Sequence, residues 1–261
     1  MFRKLLSALS REPAGPPSGS IPAGRRVYAV GDIHGRLDLL DDLLVRIEAD
    51  AAARASVETT IMFLGDVIDR GPESAQVVQR LLDLSMRSED VRFLLGNHEE
   101  VFLKALAGEK GAMQFFLKIG GRPTVLSYGI DEQAYLAADH DELTALLQAR
   151  VPQSHIAFLE RFEDMIEIGD YAFVHAGVRP GTALADQSPA TLRWIRDDFL
   201  RHAGPHEKIV VHGHSIAEDV DERRWRIGID TGAFTSGRLT AMAFEGDMRW
   251  VLQTDGTKLD V

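Results

Sequence analysis

From Arg25 onward, short apolar runs alternate with stretches whose apolar residues recur at helical spacing, a pattern that predicts an α/β fold. Strands are expected at Arg26–Val30, Thr60–Leu64, Val91–Leu95, Tyr171–Val174, Ile209–Val211, Trp225–Ile229 and Leu239–Phe244. Amphipathic helices are expected over Arg36–Ala53, Glu73–Met86 and Glu99–Leu106. The first gathers Leu39, Leu40, Leu43, Leu44 and Ile47 on one face and leaves its acids on a solvated one. Residues 108–161 break the alternation. They are mostly helical, carry turns at Gly120-Gly121 and Arg122-Pro123, and read as an insertion or cap between the third strand and the rest.

Upstream, residues 1–24 read as a flexible tail: a short frayed helix, then a Pro/Gly/Ser linker from Pro13 to Gly24. The apolar stretch Leu5–Leu9, broken by Ser7, is too short for a signal peptide, and no run approaches the roughly 18–20 apolar residues of a membrane span. A cytoplasmic location with no membrane partner is the default expectation.

Five apolar runs end abruptly in residues able to bind metal. They are YAVGDIHG (28–35), MFLGDVIDRG (62–71), FLLGNHEE (93–100), AFVHAG (172–177) and VVHGHS (210–215). In open α/β sheets, ligands collect at the carboxyl ends of the strands. These ends supply Asp32, His34, Asp66, Asp69, Asn97, His98, His175 and His214, with glycines beside them that permit tight turns and close backbone approach. Each motif alone is an ordinary turn signal. The ordered set has little structural reason to arise.

Composition narrows the chemistry. The chain of 261 residues has no cysteine, which excludes disulfides, thiolate nucleophiles, zinc fingers and iron–sulfur sites. Its formal charge of −11 and pI near 5.3 argue against a nucleic-acid partner. With only oxygen and nitrogen donors, the fitting metals are Mn, Fe, Zn, Co and Mg. Two such ions about 3.5–4 Å apart need a bridging carboxylate with further ligands on either side; they lower the pKa of a bridging water and clamp phosphoryl oxygens as charge develops. Arg70 offers a bidentate fork for the same oxygens. The set calls for metal-assisted phosphoester hydrolysis.

The succession GDIHG, GDVIDRG, GNHE, the His of VHAG and the later His of HGHS resembles the metallophosphoesterases, specifically their phosphoprotein phosphatase branch. LRWIRDDFL (192–200) and GIDTGAFTSGRLTAM (228–242) are similar to bacterial serine/threonine protein phosphatases, and the motifs run from Gly31 to about Phe244. The resemblance implies a sandwich of two mixed β-sheets flanked by helices. It implies one catalytic domain over residues 25–261 with the insertion inside it, and two divalent ions, Mn first among them.

Position by position, Asp32 and His34 would bind the first ion and Asp66 would bridge both. Asn97, His175 and His214 would complete the ligands of the second ion, and a hydroxide bridging the ions would be the nucleophile. His98 would act as general acid, its imidazole oriented by Asp69. Arg70 and Arg196 would hold phosphate oxygens, with Asn97 beside them. Ile216 stands where many metallophosphoesterases carry a further His, which leaves the first ion fewer protein ligands. His214 is preferred to His212 because it follows Gly213, off the apolar run; His212 reads as a strand-end residue behind it. Asp230 receives no role, and His140, His155, His202 and His206 read as surface residues.

The activity implied is phosphomonoester hydrolysis on phosphoserine or phosphothreonine, and also phosphotyrosine, in a phosphoprotein or phosphopeptide. The alternative is a symmetrical diadenosine tetraphosphate hydrolase on the same fold. Such enzymes usually lack the aspartate at position 69 and carry Asp where Glu99 stands, which favours the phosphatase. A catalytically dead scaffold would have lost a ligand or the acid, and none is missing here. The negative charge disfavours a nuclease.

Overall fold

The inner strands of this chain are apolar on both faces, so each sheet must be covered twice. The structure, a computed structural model, describes residues 19–258; the expected frayed N-terminal helix lies outside them. The elements follow in the order β1 (Arg25–Val30), α1 (Leu37–Ala52), β2 (Glu58–Phe63), α2 (Ser74–Arg87), β3 (Val91–Phe93) and α3 (Asn97–Leu106). The insertion contributes α4 (Ala112–Lys118), α5 (Arg122–Ser127), α6 (Glu132–Ala137), α7 (His140–Arg150) and α8 (Gln153–Leu159). Next come β4 (Met165–Ile168), β5 (Tyr171–Val174), α9 (Pro189–Trp194), α10 (Asp197–Leu200) and β6 (Ile209–His212). The chain closes with β7 (Asp221–Arg223), β8 (Arg226–Gly228), α11 (Ala233–Ser236), β9 (Thr240–Glu245) and β10 (Met248–Gln253).

Two mixed five-stranded sheets result, ordered β10-β9-β1-β2-β3 and β4-β5-β6-β8-β7. In the first, β1, β2 and β3 run parallel, β9 is antiparallel to β1, and β10 is antiparallel to β9; in the second, β5, β6 and β8 run parallel between antiparallel β4 and β7. The period of two along each strand divides its residues between layers. Val27, Ala29, Met62, Phe173, Val211, Ile227 and Phe244 fill the space between the sheets. Tyr28, Val30 and Phe63 point outward to the buried stripe of α1 and to α2, α3 and the insertion. On the far side, Ala172, Val174 and Val210 pack under Leu184, Leu192 and Phe199. The outcome is a sheet-on-sheet sandwich with a helical layer on each outer face.

The seven expected strands are present, their ends within two residues of expectation. Three strands went unforeseen. β7 is three polar residues at a sheet edge, β4 is only four residues long and interrupted by Glu167, and β10 is an edge strand whose one apolar stretch, Trp250–Leu252, is exposed or half-buried. β3 ends at Phe93 because Leu94 and Leu95 turn to pair with Glu163 at the end of the insertion. The insertion shares the core of the first sheet through Met113, Phe116, Val125, Leu147 and Phe158.

Two expectations need correction. The last residues of the supposed linker are pinned: Ile21 is buried and its amide donates to Gly246 O at 2.8 Å, while Ser20 N donates to Asp170 Oδ2 at 2.8 Å. His155 is not a surface residue. It is buried, bonded to the Tyr128 hydroxyl at 3.0 Å and to Gln79 at 2.9 Å, because α8 packs its flank against α2 and Tyr128. Among the described residues, no helix is long and apolar enough to cross a membrane.

Candidate metal centre

The loops that follow β1, β2, β3, β5 and β6 meet at one edge of the sandwich. They bring together Asp32 and His34, then Asp66, Asp69 and Arg70, then Asn97 and His98 at the start of α3, then His175 and His214. All but Arg70 are buried. Among the described residues, the non-glycine positions with positive φ are His34, Asp66, Asp69, Arg70 and His214, at 47–71°. Each costs roughly 1–3 kcal/mol and persists only where its surroundings over-determine it.

Hydrogen bonds hold these loops in place. The Glu99 carboxylate accepts the amides of Asp66 (2.9 Å), Val67 (2.9 Å), Ile68 (3.2 Å) and Gly96 (3.1 Å). His34 N donates to Asp66 O at 2.9 Å, and His214 N donates to the Asp32 carboxylate at 3.1 Å. A side chain at Gly96 would overlap the Asp66 and Glu99 carboxylates, and one at Gly213 would overlap Asp32. Glycine at these two places lets the loops approach closely enough for their ligands to converge.

Two clusters share Asp66, one with His34 and His98 and one with His175 and His214. In the second, His175 Nδ1 donates to Leu64 O at 2.7 Å, so a neutral ring carries its lone pair on Nε2. That nitrogen faces Asn97 Oδ1 at 3.1 Å, His214 Nδ1 at 3.2 Å and Asp66 Oδ2 at 3.3 Å. In the first, His34 Nδ1 donates to Ile68 O at 2.8 Å, leaving Nε2 as an acceptor with no hydrogen-bond partner. It lies 3.7 Å from Asp66 Oδ2 and 4.0 Å from Asp32 Oδ2. His34 Nε2 is a buried lone pair with no hydrogen to receive, and His175 Nε2 holds a proton only against the Asp66 carboxylate; a divalent cation would satisfy the first and replace the second. The residues present therefore fit two ions bridged by Asp66.

The electrostatics agree. Burial and the neighbouring Asp230 and Asp66 charges push Asp32 well above the usual carboxylate range. Burial would raise Asp66 too, but His175, His98 and His34 outweigh it and hold it well below that range. Burial disfavours a charge on His175, yet Asp66 overrides this and raises it to about 10. His34 is held well below its ordinary value by burial, His98 and Arg70, and His214 falls to about 2 through burial and His175. Glu99 rises to about 7 through burial and Asp66. Five carboxylates are buried here (Asp32, Asp66, Asp69, Glu99 and Asp230), an excess of negative charge that bound cations would offset.

Beside the clusters, His98 Nδ1 lies 2.7 Å from Asp69 Oδ2. Its Nε2 faces the centre, 3.8 Å from Asp66 Oδ2 and 3.2 Å from Arg70 Nη2. Burial opposes a charge on His98, but Asp66 and Asp69 outweigh it and raise its pKa. Arg70 is half-buried, its guanidinium 4.7 Å from the Phe234 ring centre, and that ring meets His34 edge-on at 5.4 Å. Arg196 is exposed; its charge reaches His214 as one of the smaller influences. His212 turns away from the clusters toward Phe199 and donates from Nδ1 to Gly213 O at 3.0 Å. Asp230 is buried and its Oδ1 accepts the Gly232 amide at 2.9 Å, while Ile216 is exposed.

Glu99, Thr124 and Phe234 are the contributors that sequence reasoning missed. Glu99 carried a signal, since an acid three residues past Gly96 fits a helix-start box whose carboxylate reaches back to free amides. A lone threonine in an insertion and a phenylalanine in a short turn carry none.

The sequence profile of the calcineurin-like phosphoesterases matches residues 25–231. A bis(5'-nucleosyl)-tetraphosphatase, PrpE [asymmetrical], from Bacillus thuringiensis (strain Al Hakam) is 23% identical over 240 residues, 82% of this chain and 89% of the relative. A symmetrical bis(5'-nucleosyl)-tetraphosphatase from Acidovorax ebreus (strain TPSY) is 30% identical over 184 residues, 70% of this chain and 51% of the relative. A crystal structure provisionally assigned as a diadenosine tetraphosphatase superposes with a TM-score of 0.61 at 22% identity, covering 90% of this chain and 98% of that one. The cold-active protein-tyrosine phosphatase of a psychrophilic Shewanella species gives 0.53 at 19% identity, covering 90% and 83%. These superpositions, all below 25% identity, speak to the fold.

Proposed function

The chain belongs to the calcineurin-like phosphoesterase family, and from that premise we propose that it is a two-metal hydrolase of bis(5'-nucleosyl) tetraphosphates. The observation that carries the substrate is the likeness to proteins of that name along 82% of this chain. It moves the dinucleotide ahead of the phosphoprotein substrate that the motifs favoured. Symmetrical and asymmetrical enzymes both appear among the relatives.

Asp32, His34 and Asp66 would hold one ion, and Asp66, Asn97, His175 and His214 the other. Bound there, divalent ions supply Lewis-acid polarisation of the phosphoryl oxygens and neutralise developing charge. Arg70, braced on Phe234, presents its fork to the remaining phosphate oxygens. Water adds to phosphorus as the bond to the leaving oxygen breaks, and His98 delivers the proton from Nε2 while Asp69 holds Nδ1. The test is product release from diadenosine tetraphosphate and from a phosphoserine peptide, after chelation, with and without added Mn²⁺. Mn-restored cleavage of the dinucleotide supports the proposal, and cleavage of the peptide alone overturns it.

One observation favours the phosphomonoester reading. A serine alkoxide needs a proton in order to leave, whereas a nucleotide phosphate leaves readily without one. A fully buried Asp69–His98 pair is an investment suited to the harder leaving group.

A further inference from the structure

The insertion does more than cover the first sheet. Its α5 places Thr124, fully buried, directly behind Asp69. Thr124 Oγ1 donates to Asp69 Oδ1 at 2.6 Å. The Asp69 amide points at Ser74 Oγ (2.9 Å) and Thr124 Oγ1 (3.0 Å), and the two hydroxyl oxygens are 2.8 Å apart. Counting hydrogens settles the directions. An ionised carboxylate has none to give, so the Thr124 hydroxyl hydrogen goes to Oδ1, and the Thr124 oxygen then receives from Ser74. The other carboxylate oxygen, Oδ2, is taken by His98 Nδ1 at 2.7 Å. With one oxygen fixed on each side, the carboxylate cannot turn away from the imidazole.

The anchoring continues beyond this pair. Arg70 N donates to Gly120 O at 3.0 Å, so the insertion also sets the backbone of the phosphate-facing arginine. α5 is in turn fastened to the start of α2, where Ala75 N donates to Ser127 Oγ at 3.0 Å and Ser127 Oγ donates to Thr124 O at 2.7 Å. No other side chain in the described residues hydrogen-bonds Asp69 Oδ1.

We propose that Thr124 is a positioning residue for proton transfer, holding Asp69 so that His98 keeps Nδ1–H on the carboxylate and Nε2 toward the leaving oxygen. The helical insertion is thereby part of the catalytic machinery. This rests on the reading of His98 and Asp69 as the acid pair. In the step it serves, the His98 Nε2 proton passes to the leaving oxygen as its bond to phosphorus breaks, and water supplies both the new oxygen on phosphorus and the proton that recharges the ring.

Thr124→Val keeps the shape and removes the hydroxyl; Thr124→Ser keeps the hydroxyl. The first readout needs no metal and no turnover. In the metal-free, ¹⁵N-histidine-labelled chain, the His98 Nδ1 proton is expected as a low-field resonance, identified by its loss in His98→Asn. It should move upfield or vanish in Thr124→Val and persist in Thr124→Ser. The second readout uses the metal-loaded enzyme. Turnover of phenyl phosphate should fall by about tenfold to a hundredfold in Thr124→Val, part of the roughly 10²–10⁴ that a general acid supplies. Turnover of p-nitrophenyl phosphate, a better leaving group, should fall far less, KM should hold for both esters, and Thr124→Ser should restore phenyl phosphate turnover. If Thr124→Val does not fold, Thr124→Ala is read in the same way. An unchanged resonance, or an equal loss on both esters, overturns the proposal. A wild-type chain that hydrolyses neither ester would count against the phosphomonoester reading and not against dinucleotide hydrolysis, and the resonance would still decide the role of Thr124.

Discussion

His34 Nε2, buried and without a hydrogen-bond partner, faces the Asp66 carboxylate at 3.7 Å. A lone pair turned toward a carboxylate is repulsive unless positive charge lies between them, and in the second cluster Asp66 instead favours a proton on His175 Nε2, the position a cation would take. The unfolded chain has no such convergence, so cations that bind here would favour the folded state. Manganese at a hundredfold excess over its dissociation constant should raise the unfolding free energy by about 2.7 kcal/mol per site, and EDTA should reverse it. Urea denaturation with and without the ion measures this; coincident curves would contradict it.

Proton delivery by His98 makes the cost of its loss depend on the leaving group. His98→Asn should lower kcat for phenyl phosphate by on the order of 10²–10⁴ and affect p-nitrophenyl phosphate much less. Steady-state kinetics with both esters, and metal content by elemental analysis, check the prediction. Equal losses would assign His98 to binding instead.

Glu99 gathers four amides from two loops, three of them next to the strained residues Asp66 and Asp69. Glu99→Gln puts an NH₂ group where an acceptor is needed. Loss of about 2–4 kcal/mol is expected, because buried donors are left facing a donor. Chemical denaturation reads it directly, and a change below about 0.5 kcal/mol would show that the clamp is dispensable.

Much of this site was legible because the residues that would hold the ions sit where apolar strands stop. Asp32, His34, Asp66, Asp69, Asn97, His98, His175 and His214 each follow such a run by a few residues, so order and spacing brought them into one set, and the resemblance divided it into ligands and acid pair. The alternation of strands and helices was legible from the apolar runs, while the two-sheet sandwich came from the resemblance; the structure accounts for it with Val27 and Tyr28, both buried on opposite faces of β1. Contacts closed by tertiary structure were not legible. Thr124 reaches Asp69 across 55 positions, and nothing local marks it. Edge strands such as β7, three polar residues, leave no hydrophobic signature. His155 looked like a surface residue because its partners, Tyr128 and Gln79, lie 27 and 76 positions away.

Acid stability offers a separate check. Burial lowers the pKa of His212 to about 4, with Arg226 and His175 adding to the effect, against an ordinary value of 6.5. Between those values the unfolded chain takes up a proton that the folded chain refuses. Stability therefore falls as pH drops through this window, by about 3 kcal/mol across it. His212→Phe, which retains an aromatic ring against Phe199, should remove this part of the acid loss. Metal-free wild type and variant are compared by urea denaturation at pH 7.5 and 4.5. A stability difference between them that does not change with pH would contradict the account.

The central claim is a pair of cations joined by Asp66. The most direct measurement is titration of the metal-free chain with Mn²⁺, counting bound metal and following phosphoester turnover in the same samples. Two equivalents should bind to the wild-type chain, with turnover appearing as the second is taken up. Asp66→Asn should bind fewer than two and show no turnover. An Asp66→Asn chain that binds two equivalents and turns over at the wild-type rate would contradict the claim.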